Sequence, residues 1–287
     1  MAQLRDIKNR IDSVKKTRKM TQAIKMVAAA KFKRASNRAV QSRSYISDIT
    51  SMISAIQQQM NTEVDSSLLG VNTSKKEIVI IVSGDRGLCG GFNTNILKFA
   101  DQYLSTKSVD DIELVLIGTK AAQAFKNKKW KIASKYEGVL DKTSVELVNK
   151  VINPLIEHYI NGEVGCVQFL FNAFISAVNH KQVSTTLLPV NLDNMEASES
   201  KDNYYLEPTP EAVVDTLLAE YLTLTIFRGL LESYAAEQGS RMSAMDSATS
   251  NAGEMIDALM LVYNRQRQAQ ITTELAEIVA GAEALTG

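Results

Sequence analysis

LRDIKNRIDSVKKTRKMTQAIKMVAAAKFKRAS, residues 4–36, opens a stretch that reaches Met60 without a proline or a glycine. Seam positions recur along it in alternating steps of three and four, which is the heptad spacing of a coiled-coil helix. The seam consists of Ile7, Ile11, Val14, Arg18, Thr21, Lys25, Ala28, Phe32, Ala35, Ala39, Ser42, Ile46, Ile49, Ile53, Ile56 and Met60. The pattern predicts a long helix over residues 1–60, extending roughly 85 Å at 1.5 Å per residue.

The seam becomes polar between Arg18 and Lys25, and a second apolar stripe begins there. It is made by Met20, Ala23, Ile24, Val27 and Ala30. Two interpretations remain open: the helix contacts a second partner here, or the heptad contains a stutter.

A second helix begins after Thr209. This threonine stands at the N-cap position, Pro210 at the first helical position and Glu211 in the first turn, and each residue type is favoured where it stands. No proline follows Pro210, and the helix is predicted to continue without a stop as far as Gly281. A heptad seam again runs along the segment: Leu217, Tyr221, Leu224, Arg228, Leu231, Ala235, Gln238, Met242, Met245, Thr249, Ala252, Ile256, Leu259 and Tyr263. Residues 209–287 are therefore predicted as a helix of about 105 Å.

Two helices of this length exceed any compact domain of this size, so they are expected to pair with each other. A folded segment, residues 61–208, separates them, and the simplest arrangement is an antiparallel coiled coil. The C-terminal helix is the longer one and is expected to project beyond the N-terminus.

Residues 61–208 have a different pattern. Four short apolar runs, Glu77–Ser83, Asp111–Gly118, Val164–Asn172 and Ser184–Val190, alternate with helical stretches near Thr94–Tyr103 and Ser144–Tyr159. Thr143 and Glu146 have capping-box spacing before the latter helix. The alternation predicts a small α/β domain with a mainly parallel sheet. Residues 192–208 are predicted to form a surface loop or a contact segment. The predicted fold class is thus α/β with a long antiparallel coiled coil.

Composition excludes several classes of protein. Cys89 and Cys166 lack the spacing of a disulfide framework or a zinc site. The first twenty residues lack the apolar core of a signal peptide, and no apolar run is long enough to span a bilayer. We therefore expect membrane association only through partners, and no metal, cofactor or catalytic site.

The most enzyme-like stretch is SGDRGLCGGFN, residues 83–93, a glycine-rich turn between a predicted strand and a predicted helix. Such turns often bind phosphate. This one lacks the Gly-Lys-Ser/Thr ending of a P-loop and the GxGxxG spacing, so tight turning and close packing are the alternative. Cys89 is interpreted as a packed thiol because neither histidine is placed by the sequence as its base.

The N-terminal arm is basic, with thirteen Lys or Arg through Arg43 against Asp6 and Asp12. Such an arm could bind nucleic acid, face an acidic protein or be a solvated helix face. A basic coiled-coil nucleic-acid-binding protein is therefore the alternative function. At the other end, residues 271–285 form a slim, largely apolar tip that suits a surrounding sleeve or an ordinary coiled-coil end.

Three long motifs carry a family resemblance. They are IKNRIDSVKKTRKMTQAIKMVAAAK (7–31), SGDRGLCGGFN (83–93) and YNRQRQAQITTELAEIVAGA (263–282). In this order they resemble the γ subunit of F-type ATP synthases. The resemblance implies a non-catalytic rotor shaft inside a ring of α and β subunits, docked on the ε subunit and the membrane c-ring. It implies no nucleic-acid partner. The lack of a transit peptide implies the cytoplasmic face of a bacterial inner membrane.

The resemblance also implies residue roles. Arg267 and Gln268 match positions that engage an acidic β-subunit loop, and Arg265 is their neighbour. Lys15, Lys16 and Lys25 are added to this set because of their charge. Arg241, Met242 and Met245 match the R-M-x-A-M element of shaft coupling. Tyr204, Tyr205 and Glu207 resemble foot contacts with ε and the c-ring, although Leu206 stands where a tyrosine would adjoin the glutamate.

Overall fold

The computed structural model describes residues 2–60, 66–176, 179–191 and 204–286. The chain divides into two compact units, one from residues 1–27 and 242–287, the other from residues 28–241. In chain order the elements are α1 (Ala2–Met60), β1 (Glu77–Val82), α2 (Phe92–Ser105), β2 (Ile112–Ile117), α3 (Thr119–Phe125), β3 (Lys131–Tyr136), α4 (Val145–Ile160), β4 (Cys166–Phe174), β5 (His180–Leu188) and α5 (Pro210–Thr286).

The first unit is a pair of antiparallel helices. The hydroxyls of Thr21 and Thr249 are 2.7 Å apart, and Lys25 Nζ is 2.6 Å from a carboxylate oxygen of Asp246. Residue numbers thus rise along α1 as they fall along α5. Ile11, a predicted seam residue, is buried here. Thr21 and Thr249, both predicted seam residues, thus pair across the two helices, and such a polar pair helps to fix their register.

The second unit surrounds a five-stranded sheet in the order β3-β2-β1-β4-β5. The pairings of β1 with β2, β1 with β4, and β2 with β3 are parallel, whereas β4 and β5 are antiparallel. Every residue of β1 is buried. A central strand with both faces covered is expected to be continuously apolar, which explains the IVIIV run at residues 78–82.

The two faces of β1 contribute to separate cores. Ile78 and Ile80 lie in one core with residues of α1, α4 and α5, whereas Val79 and Ile81 lie in another with residues of α2 and α3. This alternation is the twofold periodicity of a strand. α5 packs closely on the sheet at Gly229, where a Cβ atom would lie 2.3 Å from the Phe169 ring.

The predicted fold class is confirmed: long terminal helices flank a mixed, mainly parallel sheet. Thr209 caps α5, with its hydroxyl 3.3 Å from the Ala212 N–H. The cap of α4 was placed one residue too early, because Ser144 accepts the hydrogen bond from Leu147 and Thr143 bonds to Leu140 instead. β3 was missed. Most of the predicted loop at 192–208, namely residues 192–203, lies outside the described residues.

Candidate functional site

The glycine-rich loop after β1 is held by its own polar side chains. The Asp85 carboxylate accepts hydrogen bonds from the N–H and the hydroxyl of Thr119, at 2.9 and 3.0 Å, and from the Gly138 N–H at 2.8 Å. Asn93 Oδ1 accepts from the Gly84 N–H at 2.8 Å. The loop is therefore tied to the neighbouring turns of the sheet by these side-chain hydrogen bonds.

A buried ion pair on α5 contacts this loop. The Arg241 guanidinium donates to the carbonyl of Gly87 at 3.1 Å, to that of Arg86 at 3.4 Å and to the Glu237 carboxylate at 2.6 Å. Only 7% of Arg241 and 3% of Glu237 is exposed. We call Arg241 and Glu237 the α5 latch, because together they join the helix to the loop.

Opposing effects act on the acidic member of the latch. Burial raises the pKa of Glu237 above its usual value, while the adjacent Arg241 lowers that pKa through its charge and its hydrogen bond. The loop approaches the carboxylate so closely that a Cβ atom at Gly84 would lie 3.0 Å from Glu237 Cδ. A glycine at this position therefore serves close packing.

α5 occupies the place where open α/β sheets usually bind ligands. That place lies outside the carboxyl ends of the strands where the strand order reverses, which here is between β1 and β4. Arg241 contacts the loop after β1, and the Glu232 carboxylate accepts from the Phe174 N–H at the end of β4, at 3.4 Å. The loop offers carbonyl oxygens to a cation here, which is the opposite of a phosphate cradle. This geometry favours the packing interpretation of the glycines.

Cys89 has the environment of a packed thiol. It is 2% exposed and clusters with Phe92 and Ala236. Burial raises the pKa of the Cys89 thiol, and this outweighs the opposing charge of Arg241. A thiol with a raised pKa carries little thiolate at neutral pH, so the residue is poorly suited to nucleophilic chemistry.

The helix pair of the first unit carries exposed apolar side chains. On α1, Met20, Met26 and Val27 are 64%, 62% and 57% exposed. On α5, every described side chain from 271 to 282 is exposed, including Leu275 and Ile278. Apolar surface of this extent on a helix is typical of a face covered by a partner. Both the second stripe and the apolar tip thus remain open for contact.

The predicted loop-binding residues are on the same unit. Arg265, Arg267, Gln268, Lys15 and Lys16 are all exposed. Lys25 differs because it is half-buried and pairs with Asp246.

The predicted coupling element divides between the two units. Arg241 belongs to the α5 latch of the second unit. In the first unit, Met245 is buried and Met242 is half-buried, and both are positions of the predicted α5 seam. The two methionines thus have the environment of helix packing residues.

The predicted foot residues adjoin the start of α5. Tyr204 is half-buried against the main core, and its backbone N–H and carbonyl both bond to the Gln59 side chain at 3.0 Å. Leu206 also packs on this core, whereas Tyr205 and Glu207 are exposed. Half-buried and exposed side chains thus alternate from Tyr204 to Glu207, and the Tyr205 side chain is fully exposed to solvent.

Glu237 and Asp85 were not predicted as site residues. A Glu-Arg pair four residues apart is the available signal, but this spacing is more typical of an exposed helix face. Among the described residues, no group of three or more metal-ligating side chains is found. Likewise, no helix in the described part of the chain is long and apolar enough to cross a membrane.

Comparisons with known proteins agree with one another. A family model described as ATP synthase matches residues 3–285. The chain is 39% identical to the ATP synthase gamma chain of Chlorobaculum tepidum over 290 residues, covering 99% of both chains. It is 41% identical to that of Heliobacterium modesticaldum, covering 99% of this chain and 100% of the relative. A chain of the Euglena gracilis mitochondrial ATP synthase has a TM-score of 0.68 at 18% identity, covering 99% of this chain and 95% of that one. A chain of the Tetrahymena thermophila enzyme, from its central stalk and c-ring structure, has a TM-score of 0.60 at 22% identity, covering 80% and 99%.

Proposed function

Because this chain belongs to the ATP synthase family, among the γ chains, we propose that it is the central rotor shaft of a rotary ATP synthase. It couples ion flow through a membrane c-ring to ATP synthesis or hydrolysis at the β subunits. The chain itself catalyses nothing. Its partners are the α and β subunits, the ε subunit and the c-ring.

One observation carries this assignment physically. The antiparallel helix pair of residues 1–27 and 242–287 has apolar side chains that are half exposed or more, among them Met20, Val27, Leu275 and Ile278. A lone helix pair in water would not retain such a surface without a cover. A surrounding sleeve of subunits covers it, and few fixed ion pairs resist turning inside an apolar sleeve.

Rotation changes nucleotide affinity through differential contact. The shaft is asymmetric, since its two helices have different sequences, and each β subunit therefore meets a different face as the shaft turns. An orientation favours the β conformation with which it makes the better contacts. The same coupling acts in reverse when ATP hydrolysis turns the shaft.

Arg267, Gln268 and Arg265 engage an acidic β-subunit loop. Their exposure leaves all donors of the two guanidinium groups available, and arginine can bind a carboxylate through two parallel hydrogen bonds. Lys15 and Lys16 supply further positive charge. Lys25 takes part by exchanging its exposed Asp246 partner for a carboxylate of the loop.

Arg241, Met242 and Met245 act in coupling. The α5 latch joins the shaft helix to the α/β domain at Arg241, so that torque applied to this domain reaches α5 through buried hydrogen bonds. Met242 and Met245 pack at the adjoining turn of the helix pair. Three functional segments follow: shaft helices at residues 1–60 and 209–287, and a domain with foot at residues 61–208.

The foot consists of Tyr204, Tyr205 and Glu207. Tyr204 anchors it to the core, and the exposed Tyr205 and Glu207 contact ε and the c-ring. The relatives at about 40% identity are bacterial. The chain accordingly works at the cytoplasmic face of a bacterial inner membrane, held there by its partners.

Coexpression with matching α and β subunits tests the assignment. The expected result is a stable assembly whose ATPase activity depends on this chain, while the chain alone hydrolyses no ATP. If the chain does not assemble and instead binds DNA with an affinity that falls steeply with salt, the nucleic-acid alternative replaces the rotor function.

A double substitution tests the loop contacts. Arg267→Ala with Gln268→Ala should lower the ATPase turnover of the assembly and leave the subunit folded, because both side chains are exposed. Lys98→Ala with Gln102→Ala on α2 is the matched control, since these residues are also exposed. Equal turnover and coupling in the two variants would remove the loop-binding role.

A further inference from the structure

A run of lysines surrounds β3 on the α/β domain. Between Thr119 and Tyr136 the chain contains no acidic residue and six lysines: Lys120, Lys126, Lys128, Lys129, Lys131 and Lys135. All except Lys120 are exposed. This segment belongs to neither the helix pair nor the foot, so the rotor function leaves its charge unexplained.

Part of this charge is compensated within the chain. Lys128 pairs with Asp101, and Lys131 pairs with Glu113. Within the described ranges, no acidic side chain pairs with Lys126, Lys129 or Lys135. These three lysines leave a net positive surface around the strand.

β3 is also an edge strand. It hydrogen-bonds to β2 on one side, and no described strand pairs with its other side. Its exposure alternates, with Lys131, Ala133 and Lys135 exposed and the residues between them half-buried. The edge thus combines free backbone hydrogen-bonding groups with cations at every second or fourth residue.

We propose that this edge binds an extended acidic segment of another protein, which pairs with β3 as a sixth strand. Backbone hydrogen bonds would provide affinity, and carboxylates on one face of the bound segment would lie beside Lys129 and Lys135. The lysines admit an acidic strand and repel a second copy of β3, which is an equally basic strand.

The geometry favours a peptide over nucleic acid or a lipid surface. Single-stranded nucleic acid requires exposed aromatic side chains on which bases stack, but Phe125 and Trp130 beside these lysines are buried and Tyr136 is half-buried. A membrane surface attracts a basic patch that also inserts apolar side chains, whereas the exposed positions of β3 are lysines and an alanine. A free edge with alternating cations matches a strand.

Trp130 provides the measurement, because it is the sole tryptophan of the chain and immediately precedes β3. The full chain is titrated with a synthetic peptide of four Glu-Val repeats while tryptophan emission is recorded. We expect saturable binding that weakens as salt rises. Lys129→Glu with Lys135→Glu should weaken it at least about tenfold. Lys8→Glu with Lys19→Glu, an equal charge change at exposed sites of α1, should change it less than about twofold.

A second peptide and hydrogen exchange separate strand pairing from charge attraction alone. Replacing each valine with proline keeps the charge and removes backbone donors, and should abolish binding. The Glu-Val peptide should protect the amides of residues 131–136. Equal binding of both peptides, no binding of either, or preference for an oligothymidine or anionic vesicles would overturn the proposal. The lysines would then only shield an edge.

Discussion

Replacing Arg241 with alanine is expected to destabilise the α/β domain strongly. The substitution removes the guanidinium from a buried pair and leaves the Glu237 carboxylate, 3% exposed, without its cation. It also removes the donor to the carbonyls of Arg86 and Gly87. Breaking one side of a buried ion pair costs about 3–5 kcal/mol of unfolding free energy. Urea unfolding followed by Trp130 fluorescence measures this loss, since Trp130 lies within the domain.

The loss should depend on pH. Burial already raises the pKa of Glu237 above its ordinary value of 4.5, and removing Arg241 removes the charge that lowers it. The pKa of Glu237 in the folded variant is therefore higher than its pKa in the unfolded chain, so the folded variant binds the Glu237 proton more strongly. Its stability is therefore largest at low pH and falls as pH rises through the folded pKa of Glu237. The deficit relative to the unsubstituted chain should be larger at pH 8 than at pH 5.

A double variant provides the control. Arg241→Met combined with Glu237→Leu replaces the pair with apolar side chains and should recover most of the stability, because no buried charge remains. Arg267→Ala, at an exposed position, should change stability by less than about 0.5 kcal/mol. An Arg241→Ala loss below about 1 kcal/mol, or the same loss at pH 5 and pH 8, would refute this account of the latch.

Three further predictions concern packing. Gly229→Ala should destabilise the chain by about 1–3 kcal/mol or more in urea unfolding, since its Cβ would lie 2.3 Å from the Phe169 ring, and an unchanged midpoint would contradict the close approach. Gly253→Ala should instead stabilise α5 by up to about 1 kcal/mol, because the nearest atom to its Cβ is on Arg18 at 3.7 Å, and a loss of thermal stability would be the opposite result. Cys89 should react with maleimide only slowly until urea opens the domain, whereas rapid labelling of the folded chain would contradict its burial.

The long helices could be predicted from sequence because their signals are local and repeated. The proline-free heptad pattern is enough to predict α1, which has 59 residues. The Thr-Pro-Glu start is enough to predict where α5, which has 77 residues, begins. The central strands β1 and β2 were predicted for a related reason, since buried parallel strands are continuously apolar. Their ends agree with the observed strands to within one residue.

β3 escaped prediction because it lies at an edge. Its sequence, KIASKY, has a single β-branched aliphatic residue, Ile132. Its exposed positions are two lysines and an alanine, which alternate with half-buried residues. An edge strand is stabilised by pairing on one side with β2, and this tertiary pairing leaves little trace in local composition.

The α5 latch escaped prediction for a different reason. Hydrophobic periodicity ranks Gln238 and Met242 as seam positions and leaves Glu237 on the outside of the helix. Glu237 is buried because the glycine loop covers it, and that loop is about 150 residues away in sequence. Hydrophobic periodicity indicates apolar contacts and cannot show a contact that is made by a buried ion pair.

Rotation itself tests the central claim most directly. A bead is attached to the α/β domain of this chain in an assembly with matching α and β subunits fixed to a surface, and the bead is observed during ATP hydrolysis. The rotor function predicts continuous rotation in one direction, which slows when Arg267 and Gln268 are both replaced with alanine. An assembly that hydrolyses ATP at full rate while this chain stays fixed would contradict it.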